Sequence, residues 1–423
     1  MYRKNAEKLL EFIKKSPSAF QAVEQMKKRL LKKGFTELSE KECWDIHPGG
    51  RYFTTRNHSA LAAFSIPEEG ADHFHILASH SDSPALKIKE NPEINNVEGM
   101  YVRLNVEPYG GMLMAPWFDR PLSVAGRVIA REKGEIRQIL VDMNEDMALI
   151  PSLAIHMNRE ANNGYKYNAQ KDLLPLYGLG DAKGSFMKRI AQAAGVKEKD
   201  ILGHDLFLYP RTEGSIWGSE EEFVSAPRLD DLQCAFASLE GFLKGKKENS
   251  ICVHCVLDNE EVGSSTKQGA ASTFLKDCLL RIYLGLGKSY EEYLAAMAGS
   301  FMISADNAHA LHPNYAEKAD PVNRPVINGG IVVKYNANQK YCTDGLTGAV
   351  FKNLCQQAQV PYQIFVNRSD IAGGSTLGNI SNNQAALNTV DIGLPQLAMH
   401  SCFETAGVKD TTYLIQAAEE FFS

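Results

Sequence analysis

The sequence predicts an α/β protein that carries an inserted β-rich domain. Four strand-like apolar runs, at residues 73–80, 251–261, 301–306 and 394–400, each end on a residue that can bind metal. Ligands of open α/β sheets gather at the carboxyl ends of strands, so four such endings indicate one shared site. Between about residues 92 and 220, short alternating segments interrupted by Gly and Pro are typical of a separate all-β module.

Helical periodicity begins the chain. Apolar residues recur at helical spacing in two stretches, formed by Leu9, Leu10, Phe12 and Ile13 and then by Phe20, Val23, Met26 and Leu30. Ser16 provides a capping-type start between them, and Gly34 provides a stop. Strands are predicted at 61–66 and 73–79, and further helices at 232–244, 269–285 and 343–359.

These elements predict two domains. Residues 1–91 and 221–423 form the α/β domain, and residues 92–220 form the β-rich insertion. A chain of 423 residues is longer than one typical core, which agrees with this division.

Composition excludes several function classes. The net charge of -6 and the pI near 6.0 leave no basic stripe, so we expect no nucleic-acid partner and no anionic membrane surface. The first residues lack the apolar segment of a secretory signal, and no apolar run reaches the ~18 residues of a membrane span. The eight scattered cysteines are typical of a reduced cytoplasmic protein without disulfides.

Two acidic motifs contain the parts of a two-metal hydrolase. Such an enzyme needs carboxylate and imidazole ligands, an attacking water and a base that accepts the proton of this water. Asp82 follows His80 by two residues, a spacing that suits a carboxylate that orients the imidazole. Glu260 and Glu261 directly follow an apolar run, so one could bind metal while the other acts as base. Neighbours on a regular strand face opposite ways, so the backbone must leave strand geometry here, as Gly263 allows.

Three further motifs add possible ligands. Asp230 and Asp231 begin a predicted helix, where acids also serve as caps, so both readings stay open. Asp306 and His309 lie in a segment that is dense in ligand-type residues, and His400 ends the last apolar run.

Two other patterns indicate no site. Cys252 and Cys255 have the spacing of a zinc knuckle, but residues three apart on a strand face opposite ways, so we interpret them as core residues. The Gly-rich segment 373–378 lacks the lysine of a phosphate-binding loop, because Asn379 occupies that position. We therefore predict a tight turn there.

Taken in order, the motifs resemble those of a known family. The segments 16–20, 80–84, 227–231, 258–264, 304–315 and 391–401 are similar to the successive signatures of the aspartyl aminopeptidase family of zinc metallopeptidases. They span nearly the whole chain. The resemblance implies a mixed-sheet α/β dizinc catalytic domain and an inserted domain that mediates dimerisation.

The resemblance also implies the metal ligands. His80 and Asp306 would hold one zinc, Glu261 and His400 would hold the other, and Asp230 would bridge the two. Two Zn²⁺ per subunit are expected, and Co²⁺ or Mn²⁺ could replace them.

Three residues would complete the catalytic machinery. Asp82 would orient His80, and Glu260 would be the general base. His156 of the inserted domain would act in the active site of a neighbouring subunit. The family resemblance further implies a cis peptide bond between Asp230 and Asp231.

The substrate would be a peptide with a free N-terminus. In the resembling family, the residues that match His309, Lys334 and Tyr341 line the pocket for the first side chain, so we expect a preference for N-terminal Asp or Glu. Asp231 and the loop at 372–378 depart from the eukaryotic pattern and resemble a bacterial branch, in which neutral residues are the alternative.

The last expectations concern the oligomeric state and the alternative functions. The resemblance implies dimers that assemble into a dodecamer. Two alternative functions stay open: a related two-metal deacylase or amidohydrolase, and a non-catalytic assembly protein.

Overall fold

The computed structural model describes residues 1–95 and 97–423. Its α-helices are α1 Tyr2–Lys14, α2 Ala19–Lys32, α3 Ala169–Asp172, α4 Phe186–Ala194, α5 Leu229–Lys244, α6 Phe274–Gly285, α7 Tyr290–Gly299, α8 Gly345–Gln357, α9 Leu377–Ser381 and α10 Asp410–Phe421. Its strands are β1 Thr36–Glu37, β2 Arg51–Arg56, β3 Ala60–Ser65, β4 Phe74–His80, β5 Ala85–Asn95, β6 Tyr101–Tyr109, β7 Leu122–Glu132, β8 Glu135–Asp142, β9 Leu176–Leu179, β10 Ile201–Pro210, β11 Ser215–Trp217, β12 Phe223–Ala226, β13 Ile251–Leu257, β14 Phe301–Ala305, β15 Ala308–His309, β16 Ile331–Tyr335, β17 Tyr362–Val366, β18 Asn388–Gly393, β19 Pro395–Leu397 and β20 Glu404–Gly407.

The first unit comprises Met1–Asp82, Gly214–Met399 and Glu404–Ser423. Its nine-stranded sheet has the order β1-β2-β3-β13-β4-β14-β18-β16-β17. Apolar residues of α1, α2, α5, α8 and α10 form the core on one face, and those of α6, α7 and α9 form the core on the other. The sheet is mixed. The strands β13, β4, β14 and β18 are parallel, β3 is antiparallel to both of its neighbours, and β16 is antiparallel to β18 but parallel to β17.

The alternation of side chains in β13 shows whether Cys252 and Cys255 could bind one zinc ion. Cys252 belongs to one core cluster and Cys255 to the other, so their thiols lie on opposite faces of the sheet. The prediction that they are core residues is confirmed, and all eight cysteines are free thiols.

The parallel strands position the site. Leu257 at the end of β13 pairs with His80 at the end of β4, and β14 continues one residue beyond Ser304, which pairs with Ala78 of β4. The carboxyl ends of three strands therefore meet at one edge of the sheet. A smaller five-stranded sheet of the same unit has the order β11-β12-β20-β19-β15.

The second unit comprises Ser83–Glu213 and His400–Phe403. Its antiparallel sheet has the order β8-β7-β10-β5-β6-β9, and its core includes Trp117 and Phe186. The predicted boundaries of 92 and 220 both lie too far along the chain. The strand β5 pairs with β6 and β10 and so belongs to this unit, whereas β11 pairs with β12 of the first unit. The return segment His400–Phe403 was not predicted.

The fold class was predicted correctly as mixed α/β. Among the residues described, no helix has both the length and the apolar character that crossing a membrane requires.

Candidate metal centre

Four chain segments bring ligand-type side chains to the edge of the sheet. His80 ends β4, and Asp230 and Asp231 lie in the first turn of α5. Glu260 and Glu261 begin a single 3-10 turn, Glu260–Val262, directly after β13. Asp306 follows β14. The backbone leaves strand geometry at Asn259, whose φ of 62° turns both glutamates toward the edge.

The side chains form a compact cluster. The ligand atoms of His80, Asp230, Asp231 and Asp306 all lie within 4.8 Å of one another, and so do those of His80, Glu260 and Glu261. The Nε2 of His80 lies 3.5 Å from the Oδ1 of Asp230. The structure thus brings together five of the predicted site residues, and Asp231 joins them.

The electrostatics of the cluster favour a bound cation. Burial raises the pKa of Asp231 well above its ordinary value; Asp306 and Asp230 raise it further by repulsion, whereas His80 lowers it. Burial and then repulsion from Asp306 raise the pKa of Glu260 to about 8. Crowded buried carboxylates are costly unless a metal balances them, and a mixed imidazole and carboxylate donor set fits Zn²⁺.

Asp82 connects two parts of the centre. Its carbonyl oxygen lies 3.1 Å and its Oδ1 lies 3.3 Å from the Nδ1 of His80. Its carboxylate also accepts the backbone N–H groups of Glu260, at 3.1 Å, and Glu261, at 3.2 Å. One buried carboxylate therefore fixes the imidazole and the glutamate turn together.

Asp231 has a contact that the sequence analysis missed. Its Oδ2 accepts the backbone N–H of His80 at 3.0 Å, which ties α5 to the end of β4. Glu404 accepts the backbone N–H of Asp230 at 2.9 Å. The peptide bond between Asp230 and Asp231 is cis, as predicted. An acid at a helix start gives no sequence signal for such a contact.

Lys334 is buried beside the centre. Its Nζ donates to the carbonyl oxygen of Asn307 at 2.9 Å and lies 3.8 Å from the Oδ1 of Asp306. Burial lowers the pKa of Lys334, but attraction to Asp306 and then to Tyr341 raises it above its ordinary value. Lys334 is 4% exposed, and its ammonium lies 5.6 Å from the ring centroid of Tyr341.

A cavity of about 310 Å³ lies in the first unit. Its walls include His309 and the aromatic ring of Phe365, whose centroids lie 6.2 Å apart. The ring centroid of Tyr341 lies 6.3 Å from that of Phe365. Of the three predicted substrate residues, His309 lines the cavity, whereas Tyr341 and Lys334 are buried.

Two predicted residues belong to the second unit. His400 has a φ of 64°, and its Nδ1 lies 2.5 Å from the carbonyl oxygen of Gly111. Such a bond fixes the tautomer that leaves Nε2 available to a metal. His156 is exposed, between the exposed Ile155 and Met157. Their functional roles stay predictions.

Comparison with known proteins identifies the family. The family model described as "Aminopeptidase I zinc metalloprotease (M18)" matches residues 12–422. The chain belongs to the M18 family of zinc metalloproteases. The predicted resemblance is confirmed, and the chain is a zinc-dependent aminopeptidase of this family.

The M18 relatives cover nearly the whole chain. The "Probable M18 family aminopeptidase 2" of Clostridium acetobutylicum is 45% identical over 99% of this chain and 98% of its own length. Ape4 in its complex with Nbr1 matches with a TM-score of 0.96 at 36% identity, over 100% of this chain and 86% of that one. The mApe1 dodecamer of S. cerevesiae matches with a TM-score of 0.88 at 29% identity, over 100% and 97% of the two chains.

Proposed function

We propose that this M18 aminopeptidase removes N-terminal residues from peptides with two zinc ions per subunit. His80 and Asp306 would hold one ion, Glu261 and His400 the other, and Asp230 would bridge them. The observation that carries the proposal is the cluster in which His80 meets the acids at the start of α5 and those that follow β13 and β14. His400 is included because of its sequence motif. Co²⁺ or Mn²⁺ could occupy the same ligands.

The different roles proposed for the two glutamates, Glu261 as a metal ligand and Glu260 as the general base, support a hydrolytic mechanism. When bound, the zinc pair would supply Lewis acidity that polarises the scissile carbonyl group and acidifies a water. Glu260 would accept the proton of that water and pass it to the leaving amine. Asp82 would hold the glutamate turn and the imidazole of His80 in place through the contacts given above.

The cavity supports a pocket for the first side chain of the substrate. Lys318 and Arg368 line it together with Asp320, whose carboxylate accepts backbone N–H groups of its own loop. Arg368 also pairs with Asp370, so Lys318 is the lining cation that we assign to the substrate. An anionic side chain suits such a wall, so we propose a preference for N-terminal Asp or Glu. His309, Lys334 and Tyr341 would contribute to this preference. Neutral N-terminal residues are the alternative, because the chain resembles a bacterial branch of the family.

We also propose that dimers of this chain assemble into a dodecamer in the cytoplasm. The mApe1 relative forms a dodecamer. Leu153, Ile155 and Met157 are each about half exposed or more on both sides of His156, and exposed apolar clusters are typical of interfaces. His156 would reach the active site of a neighbouring subunit.

A panel of aminoacyl-nitroanilides, assayed with and without a chelator, tests the function. We expect cleavage of Asp- and Glu-nitroanilides in preference to Leu-nitroanilide, complete loss with the chelator and recovery with Zn²⁺. N-acetylated versions of the same substrates serve as controls, because an aminopeptidase needs the free amine. Release of acetate from the acetylated substrates, with no release of nitroaniline, would favour a deacylase. No cleavage of any substrate would favour a non-catalytic assembly protein.

A further inference from the structure

Asp391 is a buried acid that none of the roles described so far uses. It lies in the middle of β18, where it pairs with Ser304 of β14, and its side chain is fully buried. An acid on a central strand between Val390 and Ile392 is costly to bury unless hydrogen bonds compensate for its desolvation. The hydrogen bonds of Asp391 therefore indicate which parts of the fold it stabilises.

The carboxylate of Asp391 joins two loops that are distant in sequence. Its Oδ2 accepts the backbone N–H of Cys342 at 2.7 Å and the Sγ–H of the same residue at 2.9 Å. Its Oδ1 accepts the hydroxyl of Thr376 at 2.9 Å. Its backbone N–H donates to the hydroxyl of Thr343 at 2.8 Å. The loop around Cys342 and the Gly-rich loop before α9 are thus held by one residue.

The packing around the carboxylate leaves little freedom. A Cβ at Gly378 would come within 2.6 Å of the Oδ1 of Asp391 and 2.8 Å of the Oγ of Ser304. Gly378 therefore allows α9 to approach β18 closely, which brings Thr376 into hydrogen-bond distance. The tight turn predicted at residues 373–378 is not found, because residues 372–376 form no turn and α9 begins at Leu377.

One of the two loops lines the substrate pocket, and the other contacts a residue that lines it. Tyr341 directly precedes Cys342, and its ring lies next to Phe365, which lines the cavity. Ala372 and Gly374, shortly before Thr376, also line the cavity. Asp391 itself is not among the lining residues.

We propose that Asp391 is a positioning residue that holds the loop with the lining residues Ala372 and Gly374, together with Tyr341 beside the lining Phe365. It would so determine the affinity for the first side chain of the substrate. This inference rests on the proposed function of the cavity. The hydrogen bonds of Asp391 run to Cys342, Thr343 and Thr376 and to none of the proposed metal ligands. Burial raises the pKa of Asp306 and the charge of Asp391 adds to the rise, so metal content is measured for each variant.

The test removes one contact at a time. Thr376→Val keeps the shape of the side chain but removes the hydroxyl that donates to Asp391, and Thr376→Ser restores it. We expect Thr376→Val to raise KM about tenfold, the effect of one charge-assisted hydrogen bond, with kcat within about twofold of wild type and metal content unchanged. Asp391→Asn removes one acceptor and should act in the same direction, whereas Thr376→Ser should recover the low KM.

Thr389→Val is the matched control. Thr389 is buried on the same strand, and its hydroxyl bonds to Asn382 and Leu387 rather than to Asp391. An equal rise in KM in the control, or an unchanged KM in Thr376→Val, would overturn the proposal. Loss of metal from Asp391→Asn would also overturn it, since the residue would then support the metal centre.

A second measurement separates this inference from the proposed function. Binding of the free amino-acid product by calorimetry requires no turnover, and it should weaken about tenfold in Thr376→Val but not in Thr376→Ser. If wild type released no N-terminal residue from any peptide, the proposed function would fail, while calorimetry with the same amino acids would still decide whether Asp391 shapes the pocket. Equal binding by wild type and Thr376→Val would refute the positioning role.

Discussion

Replacing Lys334 by Met tests the buried charge pair beside the metal centre. The Nζ of Lys334 lies 3.8 Å from the Oδ1 of Asp306, and both side chains are nearly buried. At this distance, Coulomb's law with an effective dielectric constant of ~20 gives an attraction of about 4 kcal/mol. Removing one partner of a buried pair costs about 3–5 kcal/mol, because the other charge is left uncompensated. We therefore expect Lys334→Met to lose about 3–5 kcal/mol of unfolding free energy in the metal-free protein.

A double-mutant cycle with Asp306→Asn isolates the pair. The four proteins are treated with a chelator, and their free energies of unfolding are measured in urea. In the Asp306→Asn background, Lys334→Met should cost about 1 kcal/mol, which corresponds to the lost hydrogen bond to the carbonyl of Asn307. A coupling energy below about 0.5 kcal/mol would refute the pairing.

Three further predictions concern separate parts of the chain. Asp82→Asn loses one acceptor for the glutamate turn, so zinc affinity or kcat/KM should fall about 10- to 100-fold, measured by zinc titration and kinetics; an unchanged value would contradict the orienting role. Burial lowers the pKa of His254 to about 3, so the folded state stays neutral while the unfolded state gains a proton as the pH falls below about 6.5. His254→Leu should therefore reduce the loss of unfolding free energy between pH 7.5 and pH 5 by about 2 kcal/mol, and equal losses in both proteins would count against the low pKa. Mixed His156→Ala and Glu260→Gln subunits, each inactive alone, should regain activity through hybrid dimers, and no recovery after proven subunit exchange would rule out a shared site.

Local patterns predicted the elements of the fold because each element carries its own signal. The helices α5, α6 and α8 lie where apolar periodicity placed them, with ends that differ by a few residues. The domain boundary was less accurate. The strand β5 continues directly from the motif of His80 and Asp82, and only its pairing with β6 and β10 assigns it to the second unit. Pairing between distant strands leaves no mark in a local pattern.

The candidate site was predictable where a motif ends a strand. His80, Asp306 and the two glutamates follow apolar runs, and the parallel register brings them together. The burial of Lys334 was not predictable, because its proximity to Asp306 depends on the order of β14, β18 and β16. Asp391 did carry a signal, since an acid within an apolar strand needs compensating partners, but the identity of those partners depends on the fold.

Metal content and turnover of two adjacent mutants test the central claim most directly. Elemental analysis of wild type should give two Zn²⁺ per subunit. Glu260→Gln should keep both ions and lose several orders of magnitude in kcat, because only the proton acceptor is removed. Glu261→Gln should release one ion, because a ligand is removed. Loss of zinc from Glu260→Gln together with full zinc content in Glu261→Gln would contradict the account and reverse the two roles.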